Sequence, residues 1–445
     1  MFKKFKKNNK KLQNYAHKII PGLSGLLGKR PEMYLPGGQW PTYYSKAKGI
    51  HIWDLKGKKY SDFTMLGIGS CVLGYADNEI NEVAKKVISE GPLTTLNPPE
   101  EILLAEKLLN IHNWADQVKF ARTGGEMVAV AIRLARSYTK REKILICGYH
   151  GWHDWYLATN INGDKNLNNH LLPGLEPKGV PKGLQNTVIP FNFNKCEDIT
   201  NIVRRYASEA AAIILEPARN TLACRLWLET LRSICDKNGC VLIFDEITCG
   251  WRNDTSGIHK ELGVNPDLAT FGKTMANGIP MSAIIGKKEI MEEAKNTFIS
   301  STNWTERMGP ACSLAFIEKH KRLNLGKILK SKGEKIRKIW ADAAANAGLE
   351  ISLSGILPLS SFKIETKIKN EWPVTITYFI QEMLKENILA SDRCYSNYCQ
   401  TDKELAKYKK ACQKIFKKIS FLSNKNKLKD SLNGPVKQMG FKRLN

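Results

Sequence analysis

Acidic residues are scarce in this chain of 445 residues: 43 Asp and Glu face 68 Lys and Arg, a formal net charge of +25. Long apolar runs are missing as well. None approaches the roughly 20 residues that cross a bilayer, although 42% of the chain is hydrophobic, ample for burial. No membrane span is therefore expected. The start, Met1-Phe2-Lys3-Lys4-Phe5-Lys6-Lys7, lacks the apolar stretch of a signal peptide. The eleven cysteines are odd in number and scattered, with no Cys-x-x-Cys pair, so neither a disulfide framework nor a zinc site is indicated. A reducing, cytoplasmic setting is expected. The positive excess raises a nucleic-acid or membrane partner. Yet it is mostly lysine spread along the chain, and it thickens over residues 3–11 and 425–443, which read as solvated, partly disordered tails. No nucleic-acid motif accompanies it, and no specific nucleic-acid partner is expected.

What the chain does have is a set of short buried-strand signatures. Val241-Leu242-Ile243-Phe244 is continuous, apolar and rich in β-branched and aromatic residues, as a strand covered on both faces must be. Asp245 and Glu246 end it, at the strand edge where open α/β sheets hold their ligands. Leu268-Ala269-Thr270-Phe271 is a second such strand, broken by Gly272-Lys273. An Asp and a Lys at neighbouring strand ends suit pyridoxal phosphate, which needs a lysine amine and a carboxylate beside its ring nitrogen. Gly272-Lys273-Thr274 is not a phosphate loop, because the required glycine five positions before Gly272 is Asp267.

Further strands are expected at 143–147 and 211–215, and helices at 78–90, 99–110 and 127–137, with Ile102, Leu103, Ala105, Leu108 and Leu109 as the inner face of the second. Residues 49–60 alternate around Lys56-Gly57 as a hairpin. Thr123-Gly124-Gly125-Glu126 opens a helix, either as an anion seat or as a plain N-cap. Tyr149 lies in a ring-crowded loop, where it either stacks on a flat cofactor or packs beneath the loop. His150 and His153 have metal-like spacing but no third ligand, so no metal site is expected. Strand, helix and strand alternate through 118–285, giving a large doubly wound, mostly parallel α/β sheet. A smaller α+β portion follows from about residue 348. The expected division is a basic tail and N-terminal segment over 1–60, a large domain over 61–325, a small C-terminal domain over 326–423 and a basic tail over 424–445.

Taken together, Trp53-Asp54-Leu55-Lys56-Gly57-Lys58-Lys59-Tyr60, Thr123-Gly124-Gly125-Glu126, Tyr149-His150-Gly151, Glu216-Pro217, Asp245-Glu246 with Gly250-Trp251-Arg252, and Gly272-Lys273 resemble one family in order and spacing. It is the pyridoxal-phosphate enzymes of fold type I, in the class III aminotransferase and glutamate-1-semialdehyde aminomutase group, over roughly residues 35–425. The resemblance implies pyridoxal 5'-phosphate as cofactor, a homodimer, and small molecules as amino donor and carbonyl acceptor. It implies that Lys273 forms the Schiff base and moves the proton, that Asp245 holds the ring nitrogen protonated, that Gly124 and Gly125 seat the phosphate and that Tyr149 stacks on the ring. Thr302 looks like the threonine that reaches a phosphate across the dimer, with Thr305 as the alternative.

The chain also departs from that pattern. Gln39-Trp40-Pro41-Thr42 stands where aminomutases of the group carry Ser-Pro-Val-Arg, Gly125 replaces a threonine, and Ala218-Arg219-Asn220 replaces a glycine-containing loop. Loss of a carboxylate-binding arginine favours amine transfer between molecules over the intramolecular aminomutase reaction. Arg219, Arg252 or Arg393 are the residues that would restore such a site. A non-catalytic relative is the third reading, opposed by the presence of both Lys273 and Asp245.

Overall fold

In the computed structural model the described residues are 9–440, apart from 164, 169, 171–173, 207, 219 and 366–370. The chain divides into two units, Asn78–Lys327 and a discontinuous one made of Met1–Asp77 with Ile328–Asn445. Residues 61–77, grouped with the large domain on sequence, thus cluster with the C-terminal part. The charge divides with them. Residues 1–77 and 328–445 carry 37 Lys and Arg against 15 Asp and Glu, whereas 78–327 carry 31 against 28. The positive excess is therefore gathered in one unit and not spread along the chain.

The unit Asn78–Lys327 is built on a seven-stranded sheet: β1 Gln117–Ala121, β2 Lys143–Cys147, β3 Val188–Pro190, β4 Ala210–Leu215, β5 Val241–Asp245, β6 Leu268–Phe271 and β7 Ser282–Gly286. Their spatial order is β1-β7-β6-β5-β4-β2-β3. All neighbours run parallel except β7, which is antiparallel to both β1 and β6. Every residue of β4, β5, β6 and β7 is buried, which is why these strands read as unbroken apolar runs instead of alternating ones. Helix α1, Gly124–Thr139, lays Met127, Val130, Ala131 and Leu134 on the sheet. Each such side chain contributes about 1.5–3 kcal/mol by leaving water. Strand β3 falls inside 161–197, where the sequence reads as irregular.

Two expected faces are corrected. In the helix Pro99–Ile111 it is Leu104 and Leu108 that are buried, while Ile102 and Leu103 are exposed; the sheet-facing stripe is narrower than the apolar composition suggests. In α2, Arg225–Asn238, which the sequence reads as a helix with Leu226, Leu228, Leu231 and Cys235 as its apolar residues, Trp227 is buried with the last three and Leu226 is exposed.

The discontinuous unit has two small sheets. Tyr44–Lys48, His51–Asp54 and Lys59–Phe63 run antiparallel, and Ile388–Ala390 joins Lys59–Phe63 in parallel, with Ser61 opposite Ile388. Ile351–Ser354, Leu359–Ile364 and Arg393–Tyr395 form the other. Between sheets and helices lies an aromatic core in which Phe63 stacks on Tyr408 at 4.2 Å and the Trp340 indole donates to the Tyr408 hydroxyl at 2.9 Å. The C-terminal stretch, expected as a loose tail, is tied down as far as residue 438. Asn433 N–H donates to Gln381 Oε1 at 2.7 Å, Lys437 N–H to Thr377 Oγ1 at 3.0 Å and Gln438 N–H to the Glu32 carbonyl at 2.8 Å. Residues 9–19 are likewise helical. No helix among the described residues is long and apolar enough to cross a membrane.

Candidate active site

Asp245 ends β5 and faces Thr270 of β6 in register. The aspartate is only 3% exposed, and a carboxylate so deeply buried must be paired. Its Oδ2 lies 2.8 Å from His150 Nδ1, and its Oδ1 accepts the Ile247 N–H at 3.1 Å. His150 is itself buried, follows β2, and stacks near Trp155 with Tyr156 edge-on. The two histidines that suggest metal spacing thus have other neighbours: His150 takes Asp245, and His153 stacks on Trp152 at 4.7 Å.

Lys273 opens the short turn Lys273–Ala276 at the carboxyl end of β6. It has φ +39°, a left-handed backbone that a lysine adopts only where its surroundings enforce it. Its Nζ donates to Thr248 Oγ1 at 2.6 Å. Thr248 lies three residues beyond Asp245, so the turn after β5 carries both the acid and the lysine's partner. Glu246, next to Asp245, serves a different purpose. It accepts the N–H groups of Ile258 and His259 and faces His259 Nδ1 at 2.8 Å. Burial alone would push its carboxyl pKa up, but the His259 hydrogen bonds and charge outweigh it, and the net direction is down.

Thr123 ends the loop after β1, and both its N–H and its hydroxyl donate to Glu126 Oε2, at 2.9 and 2.8 Å. That reciprocal cap fixes the first turn of α1. It leaves the N–H groups of Gly124 and Gly125 without an acceptor among the described residues. A cap alone does not require glycine here; crowding does. A Cβ on Gly124 would meet Ile247 Cδ1 at 2.7 Å, and one on Gly125 would meet His153 Cε1 at 3.0 Å. The Ile247 side chain also lies 3.5 Å from a Cβ built on Gly272, so one residue of the β5 turn touches both the helix start and the β6 turn. Tyr149 donates its N–H to the buried Glu216 carboxylate at 2.9 Å, and its ring meets Tyr156 edge-on.

Lys273, Asp245, Gly124, Gly125 and Tyr149 therefore converge on one sheet edge through Thr248, Ile247, His150 and Glu216. A free helix N-terminus, a buried carboxylate and an amine side by side fit a flat, phosphorylated, ring-nitrogen cofactor. Thr302 stands apart: with Thr305 it forms an exposed turn, Thr305 Oγ1 donating to the Thr302 carbonyl. Arg122, at the end of β1, holds the next residues by ion-pairing with Glu306 at 2.7 Å. Of the arginines named as anion sites, Arg252 is buried with its Nε on the Thr248 carbonyl, Arg393 lies exposed in the other unit, and Arg219 is outside the described residues. Trp40 is a core residue of the discontinuous unit, stacked on Tyr34 at 4.3 Å.

Residues 35–420 match the family model described as aminotransferase class-III. Among curated proteins, the chain is 29% identical over 409 residues to the 3-aminobutyryl-CoA aminotransferase of Cloacimonas acidaminovorans, covering 88% of this chain and 92% of that one. It is 30% identical to the 2'-deamino-2'-hydroxyneamine transaminase of Streptomyces kanamyceticus, over 72% of this chain and 78% of the relative. It is 35% identical to the glutamate-1-semialdehyde 2,1-aminomutase of Sulfurihydrogenibium azorense, over 57% and 60%. Among solved structures, the pyridoxal-phosphate internal aldimine form of the Sphingopyxis FumI protein superposes with a TM-score of 0.82 at 22% identity, covering 93% of this chain and 97% of that one.

Proposed function

The chain belongs to the class III aminotransferase family, enzymes of pyridoxal 5'-phosphate, and on that premise we propose how its own residues divide the work of moving an amino group to a small carbonyl acceptor. The observation that carries the reading is the juxtaposition at adjacent strand ends: buried Asp245 on β5, and Lys273 after β6 reaching back to Thr248. When bound, the cofactor supplies an electron sink for the substrate's α-carbon. Lys273 holds it covalently and, once released, carries the proton from one carbon to the other. Asp245, oriented by His150, keeps a proton on the ring nitrogen. Gly124 and Gly125 offer N–H groups and the positive end of α1 to the phosphate, and Tyr149 covers the ring.

A homodimer is part of this reading. Leu96 and Phe298 are 82% and 85% exposed, with Ile88, Ile102 and Leu103 also outward, apolar side chains that a second copy would cover. Thr302 is exposed, as a residue serving a second copy's phosphate must be. A reducing, cytoplasmic compartment belongs to the same reading, on the ground that the eleven cysteines are odd in number and scattered along the sequence.

Transfer between molecules is preferred over the aminomutase reaction. The two aminotransferase relatives align over 88% and 72% of the chain, against 57% for the aminomutase. No arginine occurs at 39–42, where a bidentate carboxylate clamp would sit. Borohydride treatment of the yellow holoenzyme should fix the cofactor on Lys273, and label on another lysine refutes the site. Efficient conversion of glutamate semialdehyde to 5-aminolevulinate without an amino donor would overturn the preference.

A further inference from the structure

The Lys273–Thr248 contact is held from both sides. On one side, the turn after β5 is closed by the Gly250 N–H on the Glu246 carbonyl at 2.7 Å and the Trp251 N–H on the Ser256 carbonyl at 2.8 Å. Buried Arg252 adds its Nε on the Thr248 carbonyl at 3.0 Å. On the other side, Lys273 is fixed at φ +39° immediately beyond β6. With the turn tied on one side and the backbone of Lys273 set on the other, Nζ and Oγ1 meet at 2.6 Å. Neither holding the cofactor nor pairing its ring nitrogen explains the hydroxyl.

A hydroxyl oxygen that accepts one N–H of an amine does two things. It favours the ammonium, because a charged donor bonds more strongly than a neutral one. It also fixes which way the neutral amine's lone pair points. We propose that Thr248 is the positioning residue for Lys273: while the amine is free of the cofactor, Oγ1 accepts its hydrogen bond and aims its lone pair at the substrate carbon. The proton balance is simple. The neutral amine would take a proton from that carbon and become ammonium, and would be neutral again once it gave the proton up; Thr248 would keep its own hydroxyl proton throughout. The proposal rests on the reading that Lys273 carries the cofactor, but the effect on the amine is measurable without it.

The test uses the full chain with Thr248→Val, which keeps the shape and removes the acceptor, Thr248→Ser, which restores it, and Thr248→Ala should the valine variant fold poorly. In cofactor-stripped protein, competitive acetylation read by mass spectrometry gives the pH–reactivity profile of each lysine. The Lys273 midpoint should move to lower pH in the Val and Ala variants and stay in place in Ser, while other lysines are unchanged. In the holoenzyme the single-turnover rate with an amino donor should fall about 10- to 150-fold in Val and recover in Ser, as loss of one hydrogen bond to a charged group implies. A wild-type Lys273 profile in both Val and Ala, or a serine variant as impaired as valine, overturns the proposal. Borohydride labelling separates the two levels. Label on another lysine overturns the cofactor reading and this role with it, whereas label on Lys273 with an unmoved profile overturns this role alone.

Discussion

Replacing His150 by phenylalanine is the sharpest probe of how Asp245 is held. The ring shape survives, so its stacking near Trp155 and its edge contact with Tyr156 are kept. What is lost is the 2.8 Å bond from Nδ1 to Asp245 Oδ2. Asp245 is 3% and His150 1% exposed, so water does not take over. A hydrogen bond to a charged group is worth about 1.5–3 kcal/mol. If that energy orients the carboxylate for the ring nitrogen, kcat falls about 10- to 150-fold at about 1.4 kcal/mol per tenfold, with KM for the amino donor changed much less. His150→Asn places an amide N–H close to where Nδ1 was and should recover most of the loss. Steady-state kinetics of the three proteins, with thermal denaturation to confirm folding, decides the matter. A phenylalanine variant with kcat within about twofold of wild type refutes the orienting role.

Asp245→Asn keeps the shape and removes the charge, so turnover should fall by several orders of magnitude while the protein stays folded, checked by stopped-flow kinetics and circular dichroism. Gly124→Ala should leave a folded protein with cofactor affinity weakened about 10-fold or more, measured by fluorescence titration, because the added carbon meets Ile247 and crowds the helix start. His112 gives a pH signature: burial, then neighbouring His259, lowers its pKa from 6.5 to about 3. Since the native state holds it neutral, its contribution is whole above pH 6.5 and is lost as pH falls toward 3, at up to about 1.4 kcal/mol per pH unit. In His112→Phe, urea unfolding measured over that window should show a shallower acid slope.

The strands that build the site were legible because burial on both faces leaves them almost wholly apolar, as in 241–244 and in 268–271 with Thr270 its one polar residue. Asp245, Lys273 and the glycine pair could be named because each ends a strand or opens a helix. The residues that join them could not. His150 and Asp245 are 95 positions apart, and nothing local in Tyr149-His150-Gly151 says which side chain turns inward. Ile247 and Thr248 look like ordinary turn residues until their neighbours across the sheet edge are known. Ile102 and Leu103 read as inward because apolar residues have a reason to be buried; in the single chain they are exposed. The charge segregation needed the unit boundaries, since the basic unit is assembled from two distant pieces of sequence.

That discontinuity bears on how the protein is made. The hairpin strand Lys59–Phe63 finds its neighbour Ile388–Ala390 only after the whole of Asn78–Lys327 has been synthesised between them. The ribosome delivers Asn78–Lys327 in one piece, free to fold as it emerges, while Lys59–Phe63 waits with an open strand edge. An edge left open so long invites pairing with other nascent chains. Aggregation at fast expression should therefore begin from the amino-terminal hairpin. Slower translation, or a chaperone that binds early segments, should raise the yield of folded enzyme more than any change within Asn78–Lys327.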